Sequence, residues 1–346
     1  MVPLEGPRGT GAWPEGFMRI VVYLSRVRGL RTDLRGGRAE RERVHYLCAM
    51  KPQETKVAWV GTGVMGCSMA GHLLAAGHPV RVHSRTRSKA EPLLAKGAVW
   101  ADSPAEAAEG VDVAFGMVGY PQEVEQVFLG AAGMLAARAA PAVVVDMGTS
   151  PPALSRRIAQ AAAARGSGAL DAPVSGGDVG ARNAALSIMV GGDAAHFERV
   201  KPLLERMGKT IVLQGPAGAG QLCKMVNQIL VANSMVGACE AMVAARAAGL
   251  DAERVLQSVS GGAASSWTLL NLVPRMLKGD WNPGFFAGHL AKDLRIAREQ
   301  TQADGERLPG LELSERLFDG LEALGHGKLG TQALLKAWHD VLAQAR

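Results

Sequence analysis

The amino-acid sequence predicts an α/β protein with a mainly parallel sheet, followed by a long connecting helix and an all-α C-terminal domain. From Lys56 to about Gly220, short β-branched runs alternate with helical segments, and helical patterns alone follow. The candidate strands are apolar on both faces, as in parallel sheets that helices cover on both sides. The predicted strands are 57–60, 80–83, 111–118, 142–147, 169–174, 186–190 and 210–213.

The length of 346 residues favours two domains over one. We predict an N-terminal extension over 1–54, a nucleotide-binding domain over 55–218, and a connecting helix with an all-α domain over 219–346. The connecting helix is predicted over 221–248, with Gly249 as its C-terminal cap. At about 1.5 Å per residue it would span roughly 42 Å, enough to link the two domains.

The net charge of +6 is concentrated at the start of the chain. Residues 1–49 contain nine arginines against five acidic residues, and no basic stripe with interleaved aromatics follows, so we expect no nucleic-acid partner. This segment also lacks the apolar region of a signal peptide. We predict that it is either a disordered extension or lies upstream of a working start near Met50; a functional arm is the alternative.

The cysteines and the longest apolar helix bear on the cellular setting. Four cysteines show neither C-x-x-C nor zinc spacing, which predicts a reducing, cytoplasmic setting, no disulfide framework and no metal site. The charge-free window 225–239 contains four polar residues, so no membrane span is predicted.

A glycine-rich turn follows the first predicted strand and opens a helix. This is the context that a Rossmann-type dinucleotide site requires: the first glycine allows the tight turn, the second lets a pyrophosphate approach, and the third lets the helix pack on the strand. The helix N-terminus favours the phosphate charge. The predicted cofactor-binding residues of this turn are Gly61, Thr62, Gly63, Val64, Met65 and Gly66.

The end of the second strand bears on the choice of cofactor. Here Ser84, Arg85 and Thr86 stand where a carboxylate would receive the adenosine ribose hydroxyls of NAD. An arginine fork and two hydroxyls suit a 2′-phosphate, which predicts NADP as the cofactor, with NAD possible. The alternative interpretation is a solvated basic helix start.

Two further motifs contain candidate substrate-binding and acid/base residues. In the stretch 171–177, a turn with Ser175, Gly176 and Gly177 offers backbone amides and a hydroxyl to a carboxylate, although such a turn is often only structural. On the long helix, Lys224, Asn227 and Gln228 share one face at i, i+3 and i+4. A lysine on this apolar face either has a function or extends to solvent.

Together these motifs resemble the β-hydroxyacid dehydrogenase family, which includes 3-hydroxyisobutyrate dehydrogenase, tartronate semialdehyde reductase and glyoxylate/succinic semialdehyde reductases. The resemblance runs from about Lys56 to the C-terminus. It rests on the glycine motif with Gly77-His78, on residues 171–177 followed by 188–192, on Lys224-x-x-Asn227, and on Lys292-Asp293-Leu294.

The resemblance implies a role for each matching residue. Lys224 is implied as the catalytic proton carrier, the turn at Ser175 as the carboxylate site, and Asn227 as the amide that orients the substrate. Cofactor contacts are implied for Met117, Val118, Thr149 and Lys292. A homodimer or homotetramer acting on a small carboxylate-bearing substrate is also implied.

Three departures from the family pattern affect the substrate prediction. Gly148 replaces a frequent Ser or Thr, Gln228 replaces a second Asn, and Asn183 stands in a stretch where relatives often have Gly. We expect Asn183 to be able to adopt a left-handed backbone conformation.

The expected function is therefore NADP-dependent hydride transfer between a small hydroxy acid and its semialdehyde or keto form. Burial and a second cation, such as Lys292, are expected to lower the pKa of Lys224. The alternatives are an imine reductase and a non-catalytic cofactor-binding scaffold on the same fold. Lys224 disfavours the imine reductase, and the retention of Lys224 and Asn227 together disfavours the scaffold.

Overall fold

The computed structural model describes residues 55–344, so the predicted extension 1–54 lies outside the described residues. The first part of the described chain forms one nine-stranded sheet. Its strands are β1 (Val57–Val60), β2 (Val80–His83), β3 (Val99–Trp100), β4 (Val113–Gly116), β5 (Val143–Asp146), β6 (Gly168–Asp171), β7 (Val174–Ser175), β8 (Leu186–Gly192) and β9 (Gly208–Gly215).

Helices connect these strands and cover both faces of the sheet. They are α1 (Val64–Ala75), α2 (Glu91–Leu94), α3 (Pro104–Ala108), α4 (Pro121–Leu129), α5 (Pro152–Ala163), α6 (Gly177–Arg182) and α7 (Ala194–Leu204). The helical domain contains α8 (Ala219–Ala247), α9 (Ala252–Ser260), α10 (Trp267–Asn271), α11 (Val273–Leu277), α12 (Ala287–Ala303), α13 (Pro309–Leu321) and α14 (Trp338–Gln344).

The sheet is mainly parallel, as predicted. The strand order is β3-β2-β1-β4-β5-β6-β8-β7, with β9 paired to β8, and only the β6–β8 and β7–β8 pairs are antiparallel. Strands β1, β4 and β5 are buried along their whole length, which is why they appear as uninterrupted apolar runs in the sequence.

The carboxyl ends of five strands align at one edge of the sheet. In register, Val60 pairs with both His83 and Gly116, Gly116 pairs with Asp146, and Asp146 pairs with Asp171. The segments that follow β1, β2, β4, β5 and β6 therefore all begin at the same edge. In open α/β sheets this is the edge at which ligands bind.

Two strand predictions needed correction. The two-residue strand β3 has too short an apolar run to be detected. The predicted strand 169–174 is two strands, because the chain turns at Pro173, which cannot donate a ladder hydrogen bond. As a result β6 lies between β5 and the end of β8, whereas β7 pairs with an earlier part of β8.

The connecting helix α8 begins at Ala219 and contacts both the sheet and the helical domain. Among the described residues it alone is long and apolar enough to cross a membrane, with a mean hydropathy of 1.4 in its most apolar window. Within that window 44% of the residues are buried in the protein, and Lys224 and Gln228 are buried on the same helix. The core helix of a folded protein has the same pattern.

The C-terminal ends of α6 and α8 use the same backbone turn with different residues. After α8, Gly249 has φ +71° and the amide of Leu250 donates to the carbonyl of Ala245. After α6, the left-handed residue is Ala184, with φ +51°, and not Asn183 as expected. Glycine suits this position because it has no Cβ to clash in the left-handed region.

This difference predicts opposite effects of two substitutions on stability. Ala184→Gly should raise the free energy of unfolding by about 1 kcal/mol, because it removes the left-handed strain of an alanine. Gly249→Ala should lower it by a similar amount, and its new Cβ would meet no atom within 4 Å, so the loss would be conformational. Denaturant unfolding of both variants measures the two changes, and a destabilised Ala184→Gly protein would contradict the assignment.

Candidate functional site at the domain junction

The glycine turn after β1 is shaped by two close backbone contacts and one open position. A Cβ on Gly61 would lie 2.2 Å from the carbonyl oxygen of Met117, and one on Gly66 would lie 2.0 Å from that of Gly61. A Cβ on Gly63 would meet nothing within 4 Å. The first and third glycines therefore allow tight packing, whereas Gly63 faces space through which a ligand can approach.

The N-terminus of α1 beside this turn is suited to an anion. No side chain caps the helix, and Thr62 has a buried hydroxyl without a hydrogen-bond partner among the described residues. Free helix amides and an unused hydroxyl are donors that a pyrophosphate can accept from. The residues present thus fit a bound dinucleotide.

The end of β2 presents the predicted phosphate-binding residues. Ser84 is buried and Thr86 is exposed. The side chain of Arg85 is 85% exposed and its Nη1 lies 2.5 Å from Oε1 of Glu123, at the start of α4. The three predicted residues share one strand end, but the arginine already has an anionic partner.

The loop from Met117 to Pro121 follows β4 and contacts the helical domain. The ring of Tyr120 meets the imidazole of His289 edge-on, with centroids 5.4 Å apart. His289 also packs on Phe286, which precedes α12. Burial and the nearby Lys292 ammonium lower the pKa of His289, which favours the neutral ring at this contact. The predicted cofactor loop is therefore held from both domains.

The loop after β5 explains the departure at Gly148. Its amide donates to Oδ1 of Asp146 at 2.9 Å. A Cβ at this position would lie 3.0 Å from the carbonyl oxygen of Val118 and 3.2 Å from the same Asp146 oxygen. Glycine therefore allows this loop to pack closely against the loop after β4.

Two side chains of the helical half hold the same loop at three backbone groups. Gln221 donates from Nε2 to the carbonyl of Gly148 at 2.9 Å and accepts from the amide of Ser150 at 3.0 Å. Lys292 donates from Nζ to the carbonyl of Thr149 at 2.8 Å. The predicted residues Thr149 and Lys292 are thus in contact, between the backbone carbonyl of Thr149 and the side chain of Lys292.

Asp171 fixes the start of α8 at the end of β6. Its two carboxylate oxygens accept from the amides of Gly218 at 2.7 Å and Gln221 at 2.9 Å. Burial raises the pKa of Asp171, and these amide bonds oppose the shift. Burial also raises the pKa of the neighbouring Asp146, to about 7, with the Asp171 charge adding to the effect. Two buried carboxylates therefore lie at the junction between sheet and connecting helix.

The predicted substrate turn meets Lys224 directly. Gly176 and Gly177 have φ +131° and +62°, conformations that glycine adopts easily. Lys224 is only 6% exposed, and its Nζ donates to the carbonyl of Val174 at 2.8 Å, immediately before Ser175. The lysine therefore does not extend to solvent; its ammonium lies at the turn.

Burial and two charged neighbours set the pKa of Lys224. Burial lowers this pKa, the Asp293 carboxylate opposes the shift and the Lys292 ammonium adds to it, and the combined result is a pKa of about 8. The prediction of a depressed lysine pKa, caused by burial and by Lys292, is confirmed. An amine with this pKa exchanges a proton near neutral pH, as an acid/base group requires.

A hydrogen-bonded chain joins the remaining predicted residues. Asn227 donates to the side-chain oxygen of Gln228 at 2.7 Å, Gln228 donates to Asp293 at 2.7 Å, and Asp293 lies 2.9 Å from the ammonium of Lys292. Gln228 thus reaches across to α12. The predicted substrate and cofactor residues are connected through one buried carboxylate.

The site includes residues that had no role in the sequence-based prediction, among them Asp293, Gln221 and Glu123. Asp293 lay in a recognised motif, and an acidic residue next to a site lysine was the available signal. Gln221 precedes Lys224 by three residues on the same helix, but a glutamine at a helix start has many uses. Glu123 is recognisable as a capping residue, although nothing in the sequence indicates its contact with Arg85.

Within residues 55–344, no group of three or more His, Cys, Asp or Glu side chains is placed to hold a metal ion.

The glycine geometry predicts that the same substitution has different consequences at two positions. Gly63→Ala should fold normally, with a nearly unchanged melting temperature, but should weaken NADPH binding about tenfold or more by filling the approach to the turn. Gly66→Ala should lower the melting temperature markedly, because its Cβ would overlap the carbonyl oxygen of Gly61. Thermal unfolding and NADPH fluorescence titration separate the two effects. Unchanged NADPH binding by Gly63→Ala would contradict the assignment.

Comparison with known proteins agrees with this geometry. A family model described as the NAD binding domain of 6-phosphogluconate dehydrogenase matches residues 56–215. A second, described as the NAD-binding domain of NADP-dependent 3-hydroxyisobutyrate dehydrogenase, matches residues 218–338.

Curated relatives match over nearly their whole length. An Arabidopsis thaliana protein named probable 3-hydroxyisobutyrate dehydrogenase-like 1, mitochondrial, is 47% identical, and the match covers 83% of this chain and 86% of the relative. The 2-hydroxy-3-oxopropionate reductase of Escherichia coli is 41% identical over 82% of this chain and 96% of its own. The NAD-dependent L-serine dehydrogenase of Pseudomonas aeruginosa is 38% identical over 84% of this chain and 99% of its own.

Solved structures confirm the fold and include a bound cofactor. Mycobacterium tuberculosis 3-hydroxyisobutyrate dehydrogenase with L-serine has a TM-score of 0.74 at 31% identity, covering 82% of this chain and 99% of its own. A structure of Psf3 with NADP⁺ has a TM-score of 0.76 at 27% identity, with the same coverage. The Streptomyces aurantiacus imine reductase, at 21% identity and a TM-score of 0.56 over 82% of this chain and 99% of its own, shares the fold alone.

The matched models span both parts of the described chain, and the relatives share its sequence over both parts. Among the residues on which the resemblance rested, the turn at Ser175, Lys224 and Lys292-Asp293 meet at the domain junction. The chain therefore belongs to the β-hydroxyacid dehydrogenase family of NAD(P)-dependent oxidoreductases.

Proposed function

We propose that this protein interconverts a small carboxylate-bearing hydroxy acid and its semialdehyde, with NADP as the preferred cofactor and Lys224 as the proton carrier. The observation that carries the proposal is the position of Lys224. Its ammonium is buried, has a pKa of about 8, and bonds to the backbone of the turn at Ser175. The names of the Arabidopsis and Escherichia coli relatives point to the same substrate class.

Each part of the site has a separate role in the proposed reaction. When bound, the nicotinamide supplies or accepts the hydride at the substrate carbon. Lys224 gives a proton to the substrate oxygen during reduction and takes it back during oxidation. The turn from Ser175 to Gly177 binds the substrate carboxylate through backbone amides and a hydroxyl. This negative charge offsets the ammonium groups of Lys224 and Lys292.

The preference for NADP rests on the end of β2. Ser84, Arg85 and Thr86 provide a guanidinium and two hydroxyls, and none of these residues is acidic. The compared proteins include a structure with NADP⁺ and a relative named as NAD-dependent. The residues of this chain favour the phosphorylated cofactor.

The imine reductase alternative has less support. Three imine reductases and a reductive aminase among the solved structures are 18–21% identical to this chain, a level at which only the fold is shared. The buried Lys224 bonded beside a carboxylate-binding turn suits a carbonyl substrate that carries an acid group. The same acid/base arrangement disfavours a non-catalytic scaffold.

A parallel substrate panel tests the proposed reaction. Oxidation of NADPH should be observed with one or more of succinic semialdehyde, glyoxylate, tartronate semialdehyde and methylmalonate semialdehyde, and NADH should be less efficient. A cyclic imine serves as the control substrate. Turnover of the imine alone, or of none of the five compounds, would overturn the proposal.

Removal of the lysine amine should abolish most of the chemistry while sparing cofactor binding. Lys224→Ala should lose at least about 100-fold in kcat with unchanged NADPH affinity, since general acid–base catalysis contributes about this much. The exposed Lys209→Ala serves as a matched control with full activity. A fully active Lys224→Ala enzyme would remove the proposed mechanism.

The pKa of Lys224 sets the pH dependence in each direction. Reduction needs the protonated amine, so kcat/KM for the semialdehyde should fall as the pH rises above about 8. Oxidation needs the neutral amine, so kcat/KM for the hydroxy acid should rise through the same pH range. Initial rates from pH 6 to 10 measure both limbs. Profiles with the same slope in both directions would contradict the assignment.

We also propose that the protein is a homodimer or homotetramer. Leu222, Val226 and Leu230 are exposed at i, i+4 and i+8 on α8, and together form an apolar row along the connecting helix. Such a row is a suitable interface for a second copy.

A cytoplasmic location stays a prediction. The three described cysteines, Cys67, Cys223 and Cys239, are all free.

A further inference from the structure

An ion pair joins the segments that follow β2 and β4, on either side of the glycine turn. In the sheet, β1 lies between β2 and β4, and the carboxyl ends of the three strands are aligned. Arg85 follows β2 and Glu123 lies in the first turn of α4, which follows β4. Their contact at 2.5 Å therefore joins the two sides of the strand end at which the glycine turn begins.

Glu123 is held in place independently of the arginine. Its second carboxylate oxygen accepts from the amides of Gly119 at 3.1 Å and Tyr120 at 3.3 Å, which caps the start of α4. Its side chain is 26% exposed, whereas that of Arg85 is 85% exposed. The carboxylate is thus the fixed partner, and the long arginine is the mobile one.

The same arginine is the residue to which the proposed NADP preference assigns the 2′-phosphate. A guanidinium bonded to a carboxylate must give up that bond, or share it, before it can form a fork with a phosphate dianion. The ribose hydroxyls of NAD carry no charge, so NAD binding does not require the guanidinium to leave its carboxylate partner.

We propose that Glu123 is a specificity-determining residue that competes with the 2′-phosphate for Arg85 and so limits the preference for NADP over NAD. This inference rests on the proposed NADP preference and adds a residue that opposes it. It predicts that NAD also binds to this chain, although an arginine stands at this position. Because exposed ion pairs are weak, the competition should change affinity by about fivefold and not by orders of magnitude.

The test uses the full chain and two small nucleotides that differ by the phosphate alone. Glu123→Gln keeps an amide oxygen that can accept from Gly119 and Tyr120, so the helix cap is retained and only the charge is lost. Glu125→Gln is the matched control, since Glu125 lies on the same helix and pairs with its own partner, Arg157. Calorimetric titration measures the Kd of 2′,5′-ADP and of 5′-AMP for each protein.

We expect Glu123→Gln to bind 2′,5′-ADP about fivefold more tightly than the wild type, with 5′-AMP unchanged and Glu125→Gln unaltered for both. The gain should shrink at high salt and should be absent when Arg85→Gln is introduced as well. Melting temperatures of the variants verify that the fold is retained.

The possible failures are distinguishable. Equal wild-type affinities for 2′,5′-ADP and 5′-AMP would overturn the NADP preference itself. A wild type that prefers 2′,5′-ADP together with an unchanged Glu123→Gln would overturn the competition alone. A gain that persists in the Arg85→Gln background would also overturn it, because the carboxylate would then act by repulsion and not by holding the arginine.

Discussion

The position of Lys224 in this protein depends on the buried carboxylate of Asp171. This side chain ends β6 and accepts from the first amides of α8, so it joins the sheet to the connecting helix at one point. A carboxylate at a helix N-terminus satisfies otherwise unpaired donors and interacts favourably with the helix dipole. Lys224 follows within one helical turn of Gln221. Its distance from the sheet edge is therefore set by this cap.

The same junction positions the loop after β5. Gln221 and Lys292 hold three consecutive residues of that loop from the helical side, and Lys224 reaches the carbonyl of Val174 on the sheet side. Side chains of the helical half thus bond to backbone of the nucleotide-binding half. Backbone partners suit this purpose because a carbonyl in a packed loop has little freedom to move. The proposed acid/base group and the loop that contains Thr149, a predicted cofactor contact, are consequently held in fixed positions relative to each other.

Much of the fold could be predicted because its signals are local. The glycine turn after β1, the alternation of strands and helices, and the long helix with Gly249 at its end all depend on neighbouring residues, and each appears in the structure. The left-handed residue after α6 was misassigned to Asn183. Glycine is absent from that turn, and propensity alone favours asparagine over Ala184, whose position is decided by the 2.9 Å bond from Ala185 to Gly180.

The sequence by itself determined the order of the motifs and the type of each functional group: a glycine turn for a dinucleotide, a basic segment without a carboxylate, and a lysine on an apolar helix face. Only the tertiary structure decided how these groups are paired. Arg85 meets Glu123 across 38 residues, Gln221 meets Gly148 across 73, and Lys292 meets Thr149 across 143. Such contacts leave no periodic pattern in the sequence. They form because the fold brings loops at one edge of the sheet together with helices from distant parts of the chain. The pKa of Lys224 follows from the same cause, since burial by both halves of the protein exists only once they have packed together.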